Sequence, residues 1–351
     1  MASTSSGIPP RASAGGVLSR CSSSGRLRRY DSGHHVKLIE GGDMAADVRE
    51  IERKHDPGAR HDPPLTRHSS AADVVLAYLR DQVAAIARYD PLVRRDEPDA
   101  VHQMRVATRR ARSALQAFGS VVDREATRPL CDELKWLGIA LGQARDTEVM
   151  LDLIKAGLAG IPPALIAGPV EARITAHFTA ELAQAGKAAV AALDGRRYRR
   201  LRGDLDRLLA RPPLTPRAER GAGKVLAKPV RRAGRRLLRA LAAVPEAEDR
   251  DAALHEARKA AKRARYAAEA AEPALGAAAS RQAAAAKDLQ QVLGDHHDSV
   301  VARTVLLDLT GEAREAGEDT FTYGLMYQRQ ADRAARLEQA APPFTVEILD
   351  P

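Results

Sequence analysis

VHQMRVATRRARSALQAF, residues 101–118, places its charges and its apolar side chains on opposite sides of one helix. At about 100° per residue, Arg105, Arg109 and Arg112 stay within about 80° of His102. Met104, Ala107, Ala111, Ala114, Leu115 and Phe118 fall on the arc roughly opposite, the width of stripe that a helix buries. A face that is merely soluble mixes Glu with Lys for pairing one turn apart. From His102 to Phe118 there is no acidic residue. Uncompensated guanidinium groups one turn apart repel each other, so this face calls for an anionic partner.

The composition agrees with that reading. At 351 residues the chain is long enough for one large domain or two small ones. Ala, Leu and Arg dominate and aromatic residues are only 3%, the profile of an all-helical protein. The net charge of +9 and the pI near 9.7 point to nucleic acid, polyphosphate or a membrane surface, and charge alone does not choose among them. Two cysteines, Cys21 and Cys131, support neither a disulfide framework nor a Cys-based zinc site and fit a reducing cytoplasm. No run of apolar residues is long enough for a membrane span, and no apolar segment near the N-terminus resembles a secretory signal.

Residues 1–69 mix Ser, Gly, Pro, Arg and His without apolar periodicity, which reads as a flexible tail. Its Arg-rich, Ser-rich start has the look of an organelle transit peptide. An over-long start or a loose basic arm is the preferred reading, with Met44 as an alternative initiator. Ser70 and Asp73 have the spacing of a capping box, and a first helix follows to about Asp90-Pro91. The turn Asp96-Glu97-Pro98 opens the helix quoted above, with Pro98 in its first turn. A third helix is expected over 129–154 and, after the Ile161-Pro162-Pro163 break, a long one over 170–209. The end of that long helix is basic, with Arg196, Arg199 and Arg200 opposite Tyr198, Leu201 and Leu205. The prolines at 212, 213 and 216 mark the domain boundary, giving one bundle over 70–213, a second over 214–340 and a tail over 341–351. Residues 224–244 carry another stripe, Lys224, Lys228, Arg231 and Arg235, with Pro229 expected to kink the helix.

Residues 254–271, LHEARKAAKRARYAAEAA, overlay the opening stretch without a gap. His255 matches His102, Arg258 matches Arg105, Lys262 matches Arg109, Arg263 matches Arg110 and Arg265 matches Arg112. Downstream, Lys135-x-Leu137-x-x-x-Leu141-Gly142-x-x-x-Asp146 has a twin in Lys287-x-Leu289-x-x-x-Leu293-Gly294-x-x-x-Asp298. The offsets are 153 residues (255 − 102) and 152 (287 − 135). Two patterns in the same order at nearly one offset imply duplication, and with it two similar helical bundles about an approximate two-fold axis.

These four segments together resemble the CHAD family, the conserved histidine α-helical domain, over roughly residues 70–340. The resemblance implies an all-α fold of two four-helix bundles related by pseudo-two-fold symmetry, with a basic central groove that binds inorganic polyphosphate. Family members are described as polyphosphate-binding modules, some attached to triphosphate-hydrolysing tunnel domains and some associated with polyphosphate granules. The chain departs from the pattern in its long N-terminal tail, and no second catalytic domain is expected. Carried onto this sequence, the resemblance puts polyphosphate contacts at His102, Arg105, Arg109, Arg110 and Arg112, and at His255, Arg258, Lys259, Lys262, Arg263 and Arg265. The other basic stripes add Arg196, Arg199, Arg200, Lys228, Arg231 and Arg235. Lys135, Arg145 and Lys287 are further candidates, each able instead to pair with Asp146, Asp298 or a nearby acid.

Polyphosphate is a flexible string of about one charge per phosphate, so affinity would come from many charge-assisted contacts and counterion release. Arginine offers fork-shaped donors, lysine a point charge, and a histidine a donor whose charge depends on pH. The histidines could equally cap or bridge helix contacts. Asp295, His296, His297 and Asp298 look like a metal cluster, but neighbours on a helix point about 100° apart and the first repeat has no matching ligands. No metal, cofactor or catalytic residue is therefore expected. A phosphate-processing enzyme would hold a divalent cation through several carboxylates, and only Glu256 lies in these stripes. The expectation is a cytoplasmic binding module, partnered by polyphosphate, its granules or its metabolising enzymes. Sequence-blind nucleic-acid binding, or an accessory or regulatory subunit role in polyphosphate turnover, stands as the alternative.

Overall fold

In the structure, a computed structural model, the described residues are 64–342 and Phe344. The readings of residues 1–63, Met44 included, and of the C-terminal tail beyond Phe344 fall outside them. The expected all-α class is what the chain adopts: among the described residues there are helices and no strands, with two isolated bridges, Ser70 to Gly221 and Val122 to Leu214. The helices are α1 (Ala71–Arg94), α2 (Ala100–Ala117), α3 (Arg124–Ala140), α4 (Gly142–Ala159), α5 (Val170–Asp194), α6 (Arg196–Ala210), α7 (Ala222–Ala242), α8 (Arg250–Leu275), α9 (Ala277–Glu315) and α10 (Phe321–Gln339). No described helix is long and apolar enough to cross a membrane.

The capping box forms as read. Ser70 Oγ accepts from the Asp73 amide at 3.0 Å and donates to the Asp73 carboxylate at 2.8 Å. Several boundaries differ from the sequence reading. Helix α1 runs through Pro91, and Arg94 closes it by reaching Asp90 (2.6 Å), the Leu193 carbonyl (2.9 Å) and Asp194. Helix α2 begins after Pro98, at an Asp99 N-cap held in the left-handed region with φ 64°. The helix expected over 129–154 starts five residues earlier, because Asp123 caps the amides of Glu125 and Ala126, and it is interrupted at Leu141. The helix expected over 170–209 is divided at Gly195, whose backbone is extended, with ψ 154°.

The apolar clusters run across the Pro212–Pro216 break. One joins α1, α2, α3 and α6 to the start of α7 and the end of α8. A second joins Ile154 of α4 and Phe178 of α5 to Leu306 of α9 and Tyr323 of α10. A third lies between α7, α8 and α9, around Leu237, Leu254 and Leu289. The break itself is stitched down by backbone bonds, Thr215 N to Val121 O (2.9 Å) and Ala71 N to Arg220 O (2.9 Å).

Burial fixes the rotation of α2. Met104, Ala111, Ala114 and Phe118 have no exposed surface and Leu115 almost none. Each large apolar side chain so buried contributes roughly 1.5–3 kcal/mol, so rolling the helix to hide its arginines would forfeit several such contributions. The polar side of α2 packs beside α8, its twin in the repeat.

Candidate anion-binding site

The repeated motifs turn out to be two halves of one side-chain arrangement. Arg105 on α2 lies across Gly142 at the start of α4 and donates to both oxygens of Asp146, at 2.7 and 3.2 Å. A Cβ at Gly142 would sit 3.4 Å from the guanidinium carbon, so the bare backbone there is what lets the plane lie flat. Arg258 on α8 repeats this against α9: a Cβ at Gly294 would be 3.6 Å from its Nε, and Asp298 stands 4.0 Å from its Nη2. The Leu-Gly-x-x-x-Asp segment is thus a cradle for the arginine three residues after each repeat histidine. Helical spacing places the Asp one turn beyond the Gly, where it holds the far end of the guanidinium.

Between the cradles the cations from the two repeats act on one another. Arg105, Arg109 and Arg258 surround Lys262, whose own burial, followed by those three positive charges, drops its ammonium from 10.5 to about 7 against the opposing pull of Asp298. Arg258 is lowered by burial and then by Arg109 and Arg105, despite Asp298. His102 is lowered by burial, with Arg145, Arg109 and Arg105 adding to the effect and Asp99 opposing it. His255 sits with its Nδ1 3.3 Å from that of His297, the rings 4.4 Å apart, and is lowered by burial and then by Lys259 and Arg258. Asp146 and Asp298 offset only part of the repulsion among Arg105, Arg109, Arg258 and Lys262, so a further anion between the repeats would be favourable.

Unfilled donors point the same way. The Nε atoms of Arg109, Arg112, Arg145 and Arg258 are buried and have no hydrogen-bond acceptor, a feature shared by Arg110, Arg202 and Arg303 outside the cluster. Buried donors without partners cost about 1–3 kcal/mol each, more for charged groups, and an anion between the repeats would supply acceptors to the four in the cluster.

The remaining candidates distribute unevenly. Arg145 joins the cluster beside His102 while pairing with Glu148 at 3.0 Å. Arg112 is near Arg263 and Arg109, and Arg263 in turn is near Arg236 of α7, so the positive region continues along α8 towards Arg232, Arg239 and Arg124. Arg110 and Arg265 turn instead to a shared acid, Glu269, at 3.3 and 2.6 Å, and flank the buried ring of Tyr266. Lys259 pairs with Glu256. Lys135, Lys228, Arg235 and Lys287 are exposed, and Arg231 is half-buried and carries an interaction of its own. Arg196, Arg199 and Arg200 are exposed on α6, which packs on α3 and α5, and Arg199 lines a separate pocket with Asp90, Arg94 and Arg202. They are not brought to the Lys262 cluster.

The run Asp295, His296, His297, Asp298 is dispersed as helical geometry requires: Asp295 faces Arg333, His297 faces His255 and Asp298 faces Arg258. Sequence reasoning missed His297 as part of the cluster and Arg232, Arg236 and Arg239 as its extension. For the three arginines the signal was present, since they lie about 20–80° around α7 from Lys228.

A protein-family model for the CHAD domain matches residues 77–307. Two uncharacterized proteins of Mycobacterium tuberculosis, from strains CDC 1551 and H37Rv, are each 38% identical over 270 residues, 76% of this chain and 52% of theirs. The chain therefore spans about half the length of the curated relatives it matches. Among solved structures, the CHAD domain from the plant Ricinus communis aligns with a TM-score of 0.64 at 28% identity, covering 83% of this chain and all of that one. PptA from Streptomyces chartreusis shares the fold, with a TM-score of 0.65 at 23% identity over 78% of this chain and 97% of its own.

Proposed function

Because the chain belongs to the CHAD family, we propose that it is a non-enzymatic module that holds inorganic polyphosphate in a basic groove built from both repeats. The observation that carries this reading is the meeting of Arg105 and Arg109 with Arg258 and Lys262, around buried guanidinium donors that lack acceptors. The repeats act as the two walls of that groove, a duplicated pair of bundles whose histidine faces oppose each other. A phosphate chain crossing it meets arginine forks from one wall and both a fork and a point charge from the other. The acids nearest the cluster, Asp146 and Asp298, are turned to Arg105 and Arg258, so they serve orientation rather than metal-assisted hydrolysis.

The working site comprises His102, Arg105, Arg109, Arg145, His255, Arg258 and Lys262, extended by Arg112, Arg263 and Arg236. A cytoplasmic setting, at polyphosphate granules or beside enzymes that make and consume the polymer, suits a module of this kind. Sequence-blind nucleic-acid binding is the competing reading. It is disfavoured because Tyr266, the aromatic ring within the repeat, is buried between arginines and offers no stacking platform.

The test is retention of long-chain polyphosphate by the purified chain at graded salt. Changing Arg105, Arg109, Arg258 and Lys262 together to Gln should abolish saturable binding and flatten the slope of log affinity against log salt by about three to four. Survival of binding in that variant rejects the groove. Displacement of bound polyphosphate by equimolar DNA at fixed salt would favour the nucleic-acid reading instead.

A further inference from the structure

Helices α8, α9 and α10 converge at a point that the cationic cluster does not use. Asp251 lies in the first turn of α8, His296 in the middle of α9 and Glu338 in the last turn of α10. One ligand-capable atom from each falls within 4.8 Å of the others. His296 is 2% exposed, and its Nε2 stands 3.1 Å from Glu338 Oε1 and 3.6 Å from Asp251 Oδ1.

The far oxygen of each carboxylate is held away from the histidine by its own arginine. Arg303 Nη2 donates to Asp251 Oδ2 at 2.9 Å, and Arg250 Nε stands 2.9 Å from Glu338 Oε2. The near oxygens are left converging on one imidazole nitrogen. A proton on Nε2 would satisfy Glu338 at 3.1 Å but not Asp251 at 3.6 Å, beyond hydrogen-bond reach. A cation would serve all three. Ligands about 2.0–2.2 Å from an ion at tetrahedral angles lie about 3.3–3.6 Å apart; the two spacings to Nε2 are close to that range, and the two carboxylate oxygens, within 4.8 Å of each other, draw together on an ion.

We propose that Asp251, His296 and Glu338 bind one Zn²⁺ ion, with Arg303 and Arg250 orienting the two carboxylates. The imidazole selects against Mg²⁺ and Ca²⁺, which prefer all-oxygen shells. The Asp251 side chain is 41% exposed, which leaves a route in from solvent and room for a water as the fourth ligand. The site belongs to the second repeat alone. The 152-residue offset puts Ala144 where His296 stands, and the 153-residue offset puts Pro98 where Asp251 stands. It is therefore distinct from the duplicated anion site, and its role is to clamp the ends of α8 and α10 onto α9.

The experiment uses the full chain carrying His34→Ser and His35→Ser, so that the adjacent histidine pair in the N-terminal segment does not contribute. After removal of metal by chelation, Co²⁺ is titrated optically, and Zn²⁺ by equilibrium dialysis. The expected result is one ion per chain, Co²⁺ bands of low-symmetry tetrahedral type, and a melting temperature that rises with ion concentration. Asp251→Asn and Glu338→Gln should each weaken binding by at least about tenfold, and His296→Gln should remove it, with helical circular dichroism unchanged in the two carboxylate variants. No saturable ion in the parent chain, or unaltered affinity in Asp251→Asn and Glu338→Gln, overturns the assignment. So does loss of the ion on His255→Gln with retention in the Asp251 and Glu338 variants, which would place it in the cationic cluster.

Discussion

On the proposed polyphosphate reading, Lys262→Arg should remove most of the pH dependence of binding around neutrality. With its ammonium brought down to about 7, Lys262 in the free protein is about nine-tenths charged at pH 6 and about one-tenth charged at pH 8. A bound phosphate chain sets negative charge against it and restores the proton. Binding therefore takes up about one proton above neutrality, and affinity should fall about tenfold from pH 6 to pH 8 through this residue alone. The groups facing it are Arg258 and His255 on its own helix, Arg105 and Arg109 on α2, and Asp298 and His297 on α9; both imidazoles are lowered, chiefly by burial, so their part in the pH slope falls on its acid side. The arginines keep their charge throughout this range. Lys262→Arg fixes the charge that Lys262 loses, so the variant should bind at pH 8 about as tightly as the parent binds at pH 6. Lys262→Gln should bind weakly at both. Isothermal titration with polyphosphate of one defined length, in buffers of differing ionisation enthalpy, reads both affinity and proton uptake. An undiminished pH slope and proton uptake in Lys262→Arg would refute the reasoning, because the titrating group would then lie elsewhere.

The same residue predicts an effect on stability without ligand. An unfolded lysine keeps its proton to about 10.5 and the folded one gives it up above about 7, so the unfolded state binds more protons between these values and stability should rise with pH across that window. Lys262→Met should flatten that rise and be the more stable protein at pH 6, by chemical denaturation. Gly294→Ala should be tolerated or stabilising by up to about 1 kcal/mol, since helix α9 gains a better helix former and the new Cβ meets Arg258 at an ordinary 3.6 Å. Gly294→Leu should push Arg258 off its cradle and weaken polyphosphate binding severalfold at unchanged helical content. The Cys131 thiol, 8% exposed and pushed up to about 11 chiefly by burial, should react with a disulfide reagent at pH 8 only after unfolding.

Much of the fold was legible because its periodicity is strong. The apolar arc of residues 101–118 is the buried face of α2, and the Ser70–Asp73 cap is present. The boundaries that were misread depend on tertiary contacts. Nothing local says that Arg94 would reach the Leu193 carbonyl and carry α1 through Pro91, or that Gly195 would be extended and not helical. The site followed the same division. A stripe of cations is visible in sequence, but which cations find an acid partner depends on where acids arrive from other helices. Glu269 lies four residues beyond Arg265 on α8 yet also takes Arg110 from α2. Those two arginines looked equivalent to Arg109 and Lys262 until the fold brought Glu269 to both of them.

Duplication explains the scaffold better than it explains the chemistry. Both repeats lay an arginine over a glycine with an aspartate one turn on, but Arg105 is bound by both oxygens of Asp146 while Arg258 stands 4.0 Å from Asp298. Opposite Arg109 the second repeat has Lys262, and its His255 meets a second histidine where the twin position to His297 in the first repeat is Arg145. At this one pair of positions the first repeat thus carries a permanent charge and the second a charge set by burial and its neighbours. Under the polyphosphate reading the walls should fail differently when damaged. Arg109→Gln should lower affinity by a similar factor at pH 6 and pH 8, because it removes the same charge at both. Lys262→Gln should lower it about tenfold more at pH 6 than at pH 8, because at pH 8 the parent must first take up the proton. Equal losses at both pH values for both variants would mean that the walls are equivalent in chemistry as well as in fold, and that the lysine is not the titrating element.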